Sequence, residues 1–246
     1  MSLLELSGIT KSFGAIHALQ GVDLNINPGE AVGLMGDNGA GKSTLVKIIA
    51  GNFPPTAGRI SVEGNEVHFT RPLDARQAGI EIVYQDLALA DNLTAAENVF
   101  LGRELKKGVW PFDTLDKQAM IDRSSELFEE LKSETRPRDL VQKMSGGQRQ
   151  AVAIARTRLS DPKLVVMDEP TAAISVRQVA EVLNLIKRLK ATGHAVILIS
   201  HRMPDVFEVC DRVAVLRRGT KVADKATVTT SPEEITGLIT GAIDAA

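Results

Sequence analysis

The sequence predicts an α/β fold built on a mainly parallel sheet. Short apolar runs, typical of strands buried on both faces, alternate along the chain with longer segments of helical period. Turn residues separate the two kinds of segment, as Pro28 and Gly29 do before the run at residues 31–35. Strands that alternate with helices in this way favour a parallel sheet covered by helices on both faces.

Each element is predicted from a local pattern. Gly51 suits the position just after a first helix, and Thr94 with Glu97 three residues later is typical of a helix N-terminus. Residues 175–190 place their apolar side chains on one helical face. The predicted strands are residues 3–6, 31–35, 60–62, 80–84, 164–167, 195–199 and 213–216. The predicted helices are residues 42–50, 115–132, 146–159, 175–190 and 204–210, with a further helix beginning after Thr94.

We expect one domain over residues 1–246, with a core made of residues 1–86 and 145–225. Residues 87–144 are more charged and mostly helical in pattern, with loops at 106–113 and 133–139. We interpret them as a helical subdomain inserted into the core, and residues 226–246 as a short C-terminal tail.

Bulk composition narrows the classes of function. Lys and Arg total 29 and Asp and Glu 31, a formal net charge of −2, which disfavours bulk electrostatic binding of nucleic acid. No apolar run approaches the roughly 18–20 residues that span a bilayer, and the first residues lack the basic and apolar pattern of a signal peptide. Cys210 is the single cysteine, so no intrachain disulfide forms. We expect a soluble protein of a reducing compartment, with no nucleic acid partner.

Residues 36–44 fit the pattern G-x-x-x-x-G-K-[ST] of a phosphate-binding loop. Its glycines let backbone amides face the β-phosphate, and the following helix points the positive end of its dipole at the anion. Lys42 is expected to reach the β- and γ-phosphates, and Ser43 to ligate Mg²⁺. The alternative is a glycine turn with a surface lysine, which the flanking strand and helix disfavour. The predicted nucleotide-binding residues here are Gly36, Asp37, Asn38, Gly39, Ala40, Gly41, Lys42, Ser43 and Thr44.

Two carboxylates end the apolar run at 164–167. Ligands of open α/β sheets lie beyond the carboxyl ends of the strands, so Asp168 is placed to hold Mg²⁺ and Glu169 to polarise an attacking water. A solvated strand end would explain the same pair of residues, but the phosphate loop in the same chain favours the catalytic interpretation.

Polar residues follow two other predicted strands. Gln85 follows residues 80–84 and could ligate Mg²⁺ and orient water through its amide oxygen, although a glutamine taken alone at this position is more often a surface residue. His201 follows residues 195–199 and could hydrogen-bond the γ-phosphate. A metal-ligand role for His201 is disfavoured because the other histidines show no ligand spacing with it.

The motifs, in this order, resemble those of the nucleotide-binding subunit of ABC transporters, and the resemblance covers essentially the whole chain. It implies a P-loop NTPase (RecA-like) core, an N-terminal antiparallel β subdomain and an inserted helical subdomain. It also implies that Phe13 stacks on adenine, the alternative being a core or edge-strand aromatic. Gln85 matches the Q-loop of the family and His201 its switch histidine. The family signature is matched by Ser145, Gly146, Gly147 and Gln148.

In that family two subunits meet head to tail, and the signature of one contacts the γ-phosphate held by the other. The resemblance therefore implies that a second copy of this chain completes each ATP site. Two departures stand out. Met144 replaces the usual Leu before the signature, a near-isosteric change. Residues 172–175 read Ala-Ala-Ile-Ser where Ser-Ala-Leu-Asp is usual, which puts the coupling between the two sites in question.

Two further segments, residues 97–104 and 200–209, resemble those of monosaccharide importers of the ribose, xylose and fructose type. The implied function is the ATP-hydrolysing subunit of an importer, at the cytoplasmic face of the membrane. Its implied partners are transmembrane permease subunits and, indirectly, a solute-binding protein. The alternatives are a subunit of an ABC exporter or of a non-sugar importer. A non-transport ABC ATPase is disfavoured by the single cassette, and a GTPase by the absence of an Asn-Lys-x-Asp motif.

Overall fold

The computed structural model describes residues 2–108, 112–172 and 174–243. Contacts divide the chain into two compact units. The first unit comprises the chain up to Ile82, the segment Pro162–Glu169 and the chain from Ile186 onward, and the second comprises Val83–Asp161 and Pro170–Leu185. The second unit thus contains the helical segment expected at 87–144, together with segments on either side that the sequence had placed in the core.

The chain begins with three strands, after which single helices are separated by one or two strands along most of its length. The strands are β1 Leu4–Phe13, β2 Ile16–Ile26, β3 Ala31–Gly36, β4 Ala57–Val62, β5 Asn65–Val67, β6 Ile80–Val83, β7 Lys106–Lys107, β8 Thr114–Leu115, β9 Leu164–Asp168, β10 Ala195–Ile199, β11 Arg212–Arg217 and β12 Thr220–Ala226. The helices are α1 Lys42–Ile49, α2 Pro72–Gln77, α3 Ala95–Val99, α4 Lys117–Glu130, α5 Gly146–Arg158, α6 Val176–Ala191, α7 Met203–Val209 and α8 Pro232–Thr240.

The larger sheet has six strands in the order β12-β11-β3-β10-β9-β6. Strands β11, β3, β10 and β9 pair in parallel, and β12 pairs with β11 in the antiparallel sense. All residues of β3 and β10 are buried, as expected for central parallel strands with both faces covered. The mainly parallel sheet predicted from the sequence is confirmed.

A second sheet, in the order β2-β1-β4-β5, supplies the antiparallel part of the first unit. Its apolar side chains join those of β3, α1 and β10 in one hydrophobic core, which includes Leu6, Val22, Leu34, Leu45 and Ile197. The sequence predicted only residues 3–6 and 60–62 as strands here. Strand β1 continues to Phe13 through a register irregularity after Leu6, and β2 was not predicted.

The second unit contains α3, α4, α5 and the first part of α6, with the short hairpin β7–β8 between α3 and α4. The predicted start of α3 is confirmed, because the Thr94 hydroxyl accepts the Glu97 N–H and the Glu97 carboxylate accepts the Thr94 N–H. Helices α3, α4 and α5 contact one another, and each carries buried apolar residues, such as Val99, Leu127 and Val152.

The C-terminal segment is more ordered than the predicted short tail. After β12 it forms α8, whose first turn is capped by Ser231, and Ile235 and Leu238 of this helix are buried. Residues 244–246 of the expected tail lie outside the described residues. Within the described ranges, no helix is both long and apolar enough to cross a membrane.

Candidate functional site

Three neighbouring strands of the large sheet end side by side in the first unit. Ile199 at the end of β10 is in register with Leu34 of β3 on one side and with Asp168 of β9 on the other. The segments that follow these strands therefore begin at one edge of the sheet. They carry the phosphate loop, Glu169 and His201, so the structure brings these predicted site residues together.

The phosphate loop joins β3 to α1 through a tight turn. Gly36 has φ 153°, and a Cβ atom on it would lie 2.3 Å from the Leu216 carbonyl oxygen, so only glycine fits this close approach. Gly41 begins α1, and within the described residues no side chain caps this helix and no acidic residue lies in its first turn. The helix N-terminus thus presents backbone N–H groups and a positive dipole end, which favour an anion.

Lys42 lies in the first turn of α1 and is 7% exposed. Its Nζ donates to the carbonyl oxygens of Gly36 at 2.6 Å and Asp37 at 3.0 Å, so the side chain curls over the loop. Burial lowers the pKa of Lys42, while the negative charges of Glu169, Asp37 and Asp168 act in the opposite direction. The ammonium is therefore held beside carboxylates at a partly desolvated position, where its interactions with charged groups are less screened than in water.

The other residues of the phosphate loop differ in their exposure to solvent. Asp37, Asn38 and Gly39 are exposed, and the Asp37 carboxylate accepts the Asn38 N–H at 2.7 Å. Ala40 is buried, Thr44 is half-buried, and Ser43 is exposed at the start of α1.

Asp168 is the last residue of β9 and Glu169 follows it, and both residues are largely shielded from solvent. Burial raises the pKa of Asp168, and the charges of Lys42 and His201 oppose this rise. Burial also raises the pKa of Glu169, against the opposing charge of the His201 side chain and the hydrogen bond from its backbone. Both carboxylates are thus placed where their charge is costly, as is common at catalytic sites.

Glu169 is held in an unusual backbone conformation. Its φ is 50°, in the left-handed region that costs a non-glycine residue about 1–2 kcal/mol, and its N–H donates to the Ile199 carbonyl at 2.9 Å. Its Oε2 accepts the His201 N–H at 3.3 Å, and its Oε1 lies 3.2 Å from His201 Nε2, an ion-pair distance without hydrogen-bond alignment. The carboxylate is 12% exposed and the histidine side chain 55%.

Phe13 lies at the end of β1, where the hairpin turns into β2, and it is 47% exposed. Further along β2, Ala18 lies beside the phosphate loop, because a Cβ on Gly41 would be 2.8 Å from the Ala18 carbonyl oxygen. The hairpin that carries Phe13 therefore runs alongside the loop, and Phe13 is an accessible aromatic ring rather than a core residue.

In the second unit, the signature residues begin α5. The Ser145 hydroxyl accepts the Gln148 N–H at 3.3 Å, and the Gln148 side chain accepts the Ser145 N–H at 3.0 Å, a reciprocal capping box. Gly146 and Gly147 lie against the start of α6: a Cβ would approach Ile174 at 2.8 Å in the first case and Glu181 at 2.9 Å in the second. Close packing against Ile174 is a physical reason for glycine at position 146, whereas at position 147 the Glu181 carboxylate ends a flexible side chain that could move away.

A second capping box begins α6 where the family usually carries aspartate. The Ser175 N–H donates to the Gln178 side-chain oxygen at 2.9 Å, and the Gln178 N–H donates to the Ser175 hydroxyl at 3.4 Å. The Gln178 side chain also lies 3.2 Å from the Cβ position of Gly147. Ser175 therefore keeps the helix-capping role that an aspartate could fill. Ala173 of this segment lies outside the described residues.

Gln85 is exposed, two residues beyond the end of β6, and it belongs to the second unit. The chain after it is fixed by two side chains. Asn98 accepts from the Ala90 N–H at 2.8 Å and donates to the Ala90 carbonyl at 3.0 Å. Arg156 of α5 donates to the carbonyl oxygens of Asn98 at 3.0 Å and Ala88 at 3.2 Å. The segment after Gln85 is thus connected to the helix that begins with the signature.

Sequence reasoning missed two side chains beside Phe13, namely Lys11 and Phe53. Both contact it in space, but Phe53 comes from the chain after α1, and nothing in the local pattern connects it with β1. It also missed Gln178, for which the pattern Ser175-x-x-Gln178 ahead of an apolar helix was a usable signal.

Comparisons with known proteins agree with this geometry. The family model described as ABC transporter matches residues 19–172. Among curated relatives, the xylose/arabinose import ATP-binding protein of Sulfolobus acidocaldarius is 46% identical over 239 residues, 97% of this chain and 94% of that protein. The ribose import ATP-binding protein of Yersinia pestis is 43% identical over 97% of this chain. The chain spans 46% of the length of that ribose relative.

Solved structures show the same fold. A nucleotide-free ATP-binding cassette from an ABC transporter superposes with a TM-score of 0.83 at 27% identity, covering 98% of this chain and 96% of that one. A dimeric bacterial ABC transporter cassette gives a TM-score of 0.74 at 28% identity, covering 91% and 98%. Because the family model covers more than half of the chain and a close relative matches nearly all of it, the chain belongs to the ABC transporter family, as an ATP-binding cassette.

Proposed function

We propose that the chain binds and hydrolyses ATP to energise uptake of a monosaccharide through a separate membrane permease. ATP hydrolysis is supported by the alignment of β3, β10 and β9. At one edge of the sheet, Lys42 of the phosphate loop lies near Asp168 and Glu169, and His201 lies near Glu169. The observation that carries sugar import is the likeness to the xylose/arabinose import protein along almost the whole chain.

Nucleotide binding would use the whole loop. The amides at the start of α1 and the Lys42 ammonium would hold the phosphates, and Phe13 would stack on adenine. The Lys42 ammonium would exchange its contacts with the Gly36 and Asp37 carbonyls for phosphate oxygens, which satisfy the charge better.

The oxygen atoms near the phosphate loop are of the kind that Mg²⁺ binds. Ser43 carries an exposed hydroxyl, and the pKa of Asp168 is raised by burial, a state that a neighbouring cation would relieve. These residues would hold the ion together with the phosphates, the usual arrangement for Mg²⁺. Once bound, the ion would neutralise part of the charge on the β- and γ-phosphates.

In hydrolysis, Glu169 would accept a proton from the water that attacks the γ-phosphorus. The bond to the bridging oxygen breaks as the new P–O bond forms, and ADP and phosphate leave. The raised pKa of Glu169 makes its carboxylate a stronger base than an exposed glutamate. His201, whose Nε2 lies 3.2 Å from Glu169 Oε1, would keep that carboxylate oriented and would hydrogen-bond the γ-phosphate.

The functional unit would be two copies of the chain, head to tail. Ser145, Gly146, Gly147 and Gln148 of one copy would meet the γ-phosphate bound by the other. The exposed Ser145 side chain and the amides at the start of α5 are suited to an anion. The structure of a dimeric cassette with the same fold supports such pairing.

Transport would follow from ATP-driven closure and reopening of this pair at the cytoplasmic face of the membrane. The permease would be contacted through the helical region near residues 85–103, and a solute-binding protein would deliver the sugar to the permease. In this way a cassette without a membrane-spanning helix in its described residues could drive movement across a membrane.

The test is sugar uptake in the source cell after deletion of this reading frame. Uptake of labelled ribose, xylose, arabinose and fructose is measured with the wild type, Lys42→Ala and Lys187→Ala restored in turn. Lys187 is the matched control because its side chain is 45% exposed and pairs with Glu208 at the surface, where an ion pair contributes little to stability. We expect the wild type and Lys187→Ala to restore uptake of at least one sugar and Lys42→Ala to fail. Uptake of all four sugars at the wild-type rate after the deletion would contradict the import proposal. Accumulation of a solute inside the deletion strain would favour the exporter.

A further inference from the structure

A second aromatic ring, Phe53, stands beside Phe13. The two ring centroids are 5.5 Å apart and the ring planes meet at 89°. This is the edge-to-face arrangement that aromatic pairs prefer, because the positive edge of one ring faces the negative face of the other. Phe13 comes from the end of β1, whereas Phe53 follows α1, so the contact joins two distant segments of the first unit.

The two rings differ in how they are held. Phe53 is half-buried and packs against the hydrophobic core of the first unit. Phe13 is 47% exposed, so the core does not determine the plane of its ring. The chain reaches Phe53 through a tight turn after α1, where Gly51 has φ 72° and its N–H donates to the Ile48 carbonyl at 3.0 Å. Phe53 is therefore the fixed member of the pair.

Hydrogen bonds fasten the loop that carries Phe53 to the strand that carries Phe13. The Thr56 N–H donates to the Thr10 carbonyl at 2.8 Å, and the Ser12 N–H donates to the Thr56 hydroxyl at 3.1 Å. Lys11 Nζ donates to the Pro54 carbonyl at 2.7 Å. These hydrogen bonds hold the segment that carries Phe53 close to the strand that carries Phe13.

The same ammonium group lies over both rings. Lys11 Nζ is 4.6 Å from the centroid of Phe53 and 5.3 Å from that of Phe13. Both distances are within the range of a cation–π interaction, about 6 Å. Lys11 therefore adds a third contact that restrains the exposed ring.

From these contacts we propose that Phe53 is a positioning residue for adenine binding, which holds the plane of Phe13 so that the base of ATP can stack on it. A restrained ring loses less conformational freedom when the base stacks, which strengthens binding. Phe53 acts through Phe13 and does not itself touch the nucleotide. This inference rests on the proposed ATP-binding function and on the adenine role of Phe13.

The test compares two ligands that share the phosphates but differ in the base. ATP and inorganic tripolyphosphate are titrated by calorimetry into the wild-type chain, Phe53→Leu, Phe53→Tyr, Phe13→Leu and the double variant Phe13→Leu/Phe53→Leu. Leucine keeps an apolar side chain against the core and removes the ring, whereas tyrosine keeps the ring. The urea midpoint of each variant shows that it is folded.

We expect Phe53→Leu to weaken ATP binding about two- to tenfold, the range that an edge-to-face pair supplies, without changing tripolyphosphate binding. Phe53→Tyr should bind ATP like the wild type. In the Phe13→Leu background, Phe53→Leu should cause no further loss, because its effect passes through Phe13.

Three results would overturn the inference: wild-type ATP affinity in Phe53→Leu, an equal loss for ATP and tripolyphosphate, or a full further loss in the double variant. If Phe13→Leu weakens ATP binding and Phe53→Leu does not, only the role of Phe53 fails. If Phe13→Leu binds ATP normally, the adenine role of Phe13 and this inference fail together. A wild-type chain with no affinity for ATP would instead contradict the proposed function.

Discussion

Glu169→Gln separates the chemistry of the proposed site from nucleotide binding. The amide keeps the size of the carboxylate but cannot accept the proton of the attacking water. A positioned general base typically contributes about 10²- to 10⁴-fold in rate, and ATP turnover should fall by this factor. The contacts of Lys42 with the phosphate loop do not involve Glu169, so the affinity for ATP should be retained or increased.

The same substitution should not destabilise the fold at neutral pH. Burial raises the pKa of Glu169, so the folded chain keeps a proton on this carboxyl at pH values where the unfolded chain has lost it. The contribution of Glu169 to the free energy of unfolding is therefore greatest below the unfolded pKa, about 4.3, and is lost as pH rises through the folded pKa. Glutamine does not titrate, so Glu169→Gln should gain stability relative to the wild type over that interval.

The assays are phosphate release, ATP titration and urea unfolding at several pH values. Glu134→Gln is the matched control, because Glu134 is exposed and should change none of the three. Wild-type turnover in Glu169→Gln would refute Glu169 as the proton acceptor. A variant that loses stability relative to the wild type as pH rises would refute the argument from burial.

Two further pairs of substitutions test how the chain shapes the loops at the site. Gly36→Ala should lower the free energy of unfolding by roughly 1–3 kcal/mol more than Gly39→Ala. Both glycines have positive φ, but a Cβ would meet the Leu216 carbonyl oxygen at 2.3 Å in the first case and nothing within 4 Å in the second; equal losses in urea unfolding would contradict this. Ser175→Ala should cost about 0.5–2 kcal/mol through loss of the cap on α6, whereas Ser175→Asp should keep it. If thermal unfolding shows the two variants equally destabilised, the capping box with Gln178 is not important for stability.

The parallel core could be predicted from the sequence because its signals are local. Strands β3, β9 and β10 are short continuous apolar runs, and each is followed by the polar residues that form the candidate site. Since parallel strands end at the same edge of a sheet, the order of these runs was enough to predict that Lys42, Glu169 and His201 lie near one another.

The antiparallel sheet was harder to predict because glycines interrupt its pattern. Gly8 in β1 and Gly21 in β2 have positive φ and lie at irregularities of the strand pairing. The predicted first strand therefore ended at Leu6, before the end of β1. Strand β2 was not predicted, although its residues Val22, Leu24 and Ile26 alternate with exposed residues as in a half-buried strand. Helix α8 was predicted as part of a tail, although Ser231 followed by Pro232 and Glu234 was a usable start signal.

Contacts between distant segments could not be predicted at all. The pairing of Phe53 with Phe13 depends on where the chain after α1 meets β1. The fit of Gly146 and Gly147 against α6 depends on a helix that begins about thirty residues later. Neither follows from periodicity or spacing.

If two copies of this chain share each ATP between the phosphate loop of one and the signature of the other, Glu169→Gln should pair when ATP is bound. The solution masses of Glu169→Gln and of the double variant Glu169→Gln/Ser145→Arg are measured by light scattering, each with and without ATP. We expect the mass of two chains for Glu169→Gln with ATP, of one chain without ATP, and of one chain when Ser145→Arg is added. A single-chain mass for Glu169→Gln at saturating ATP, or pairing that persists with Ser145→Arg, would show that two copies do not share the ATP in this way.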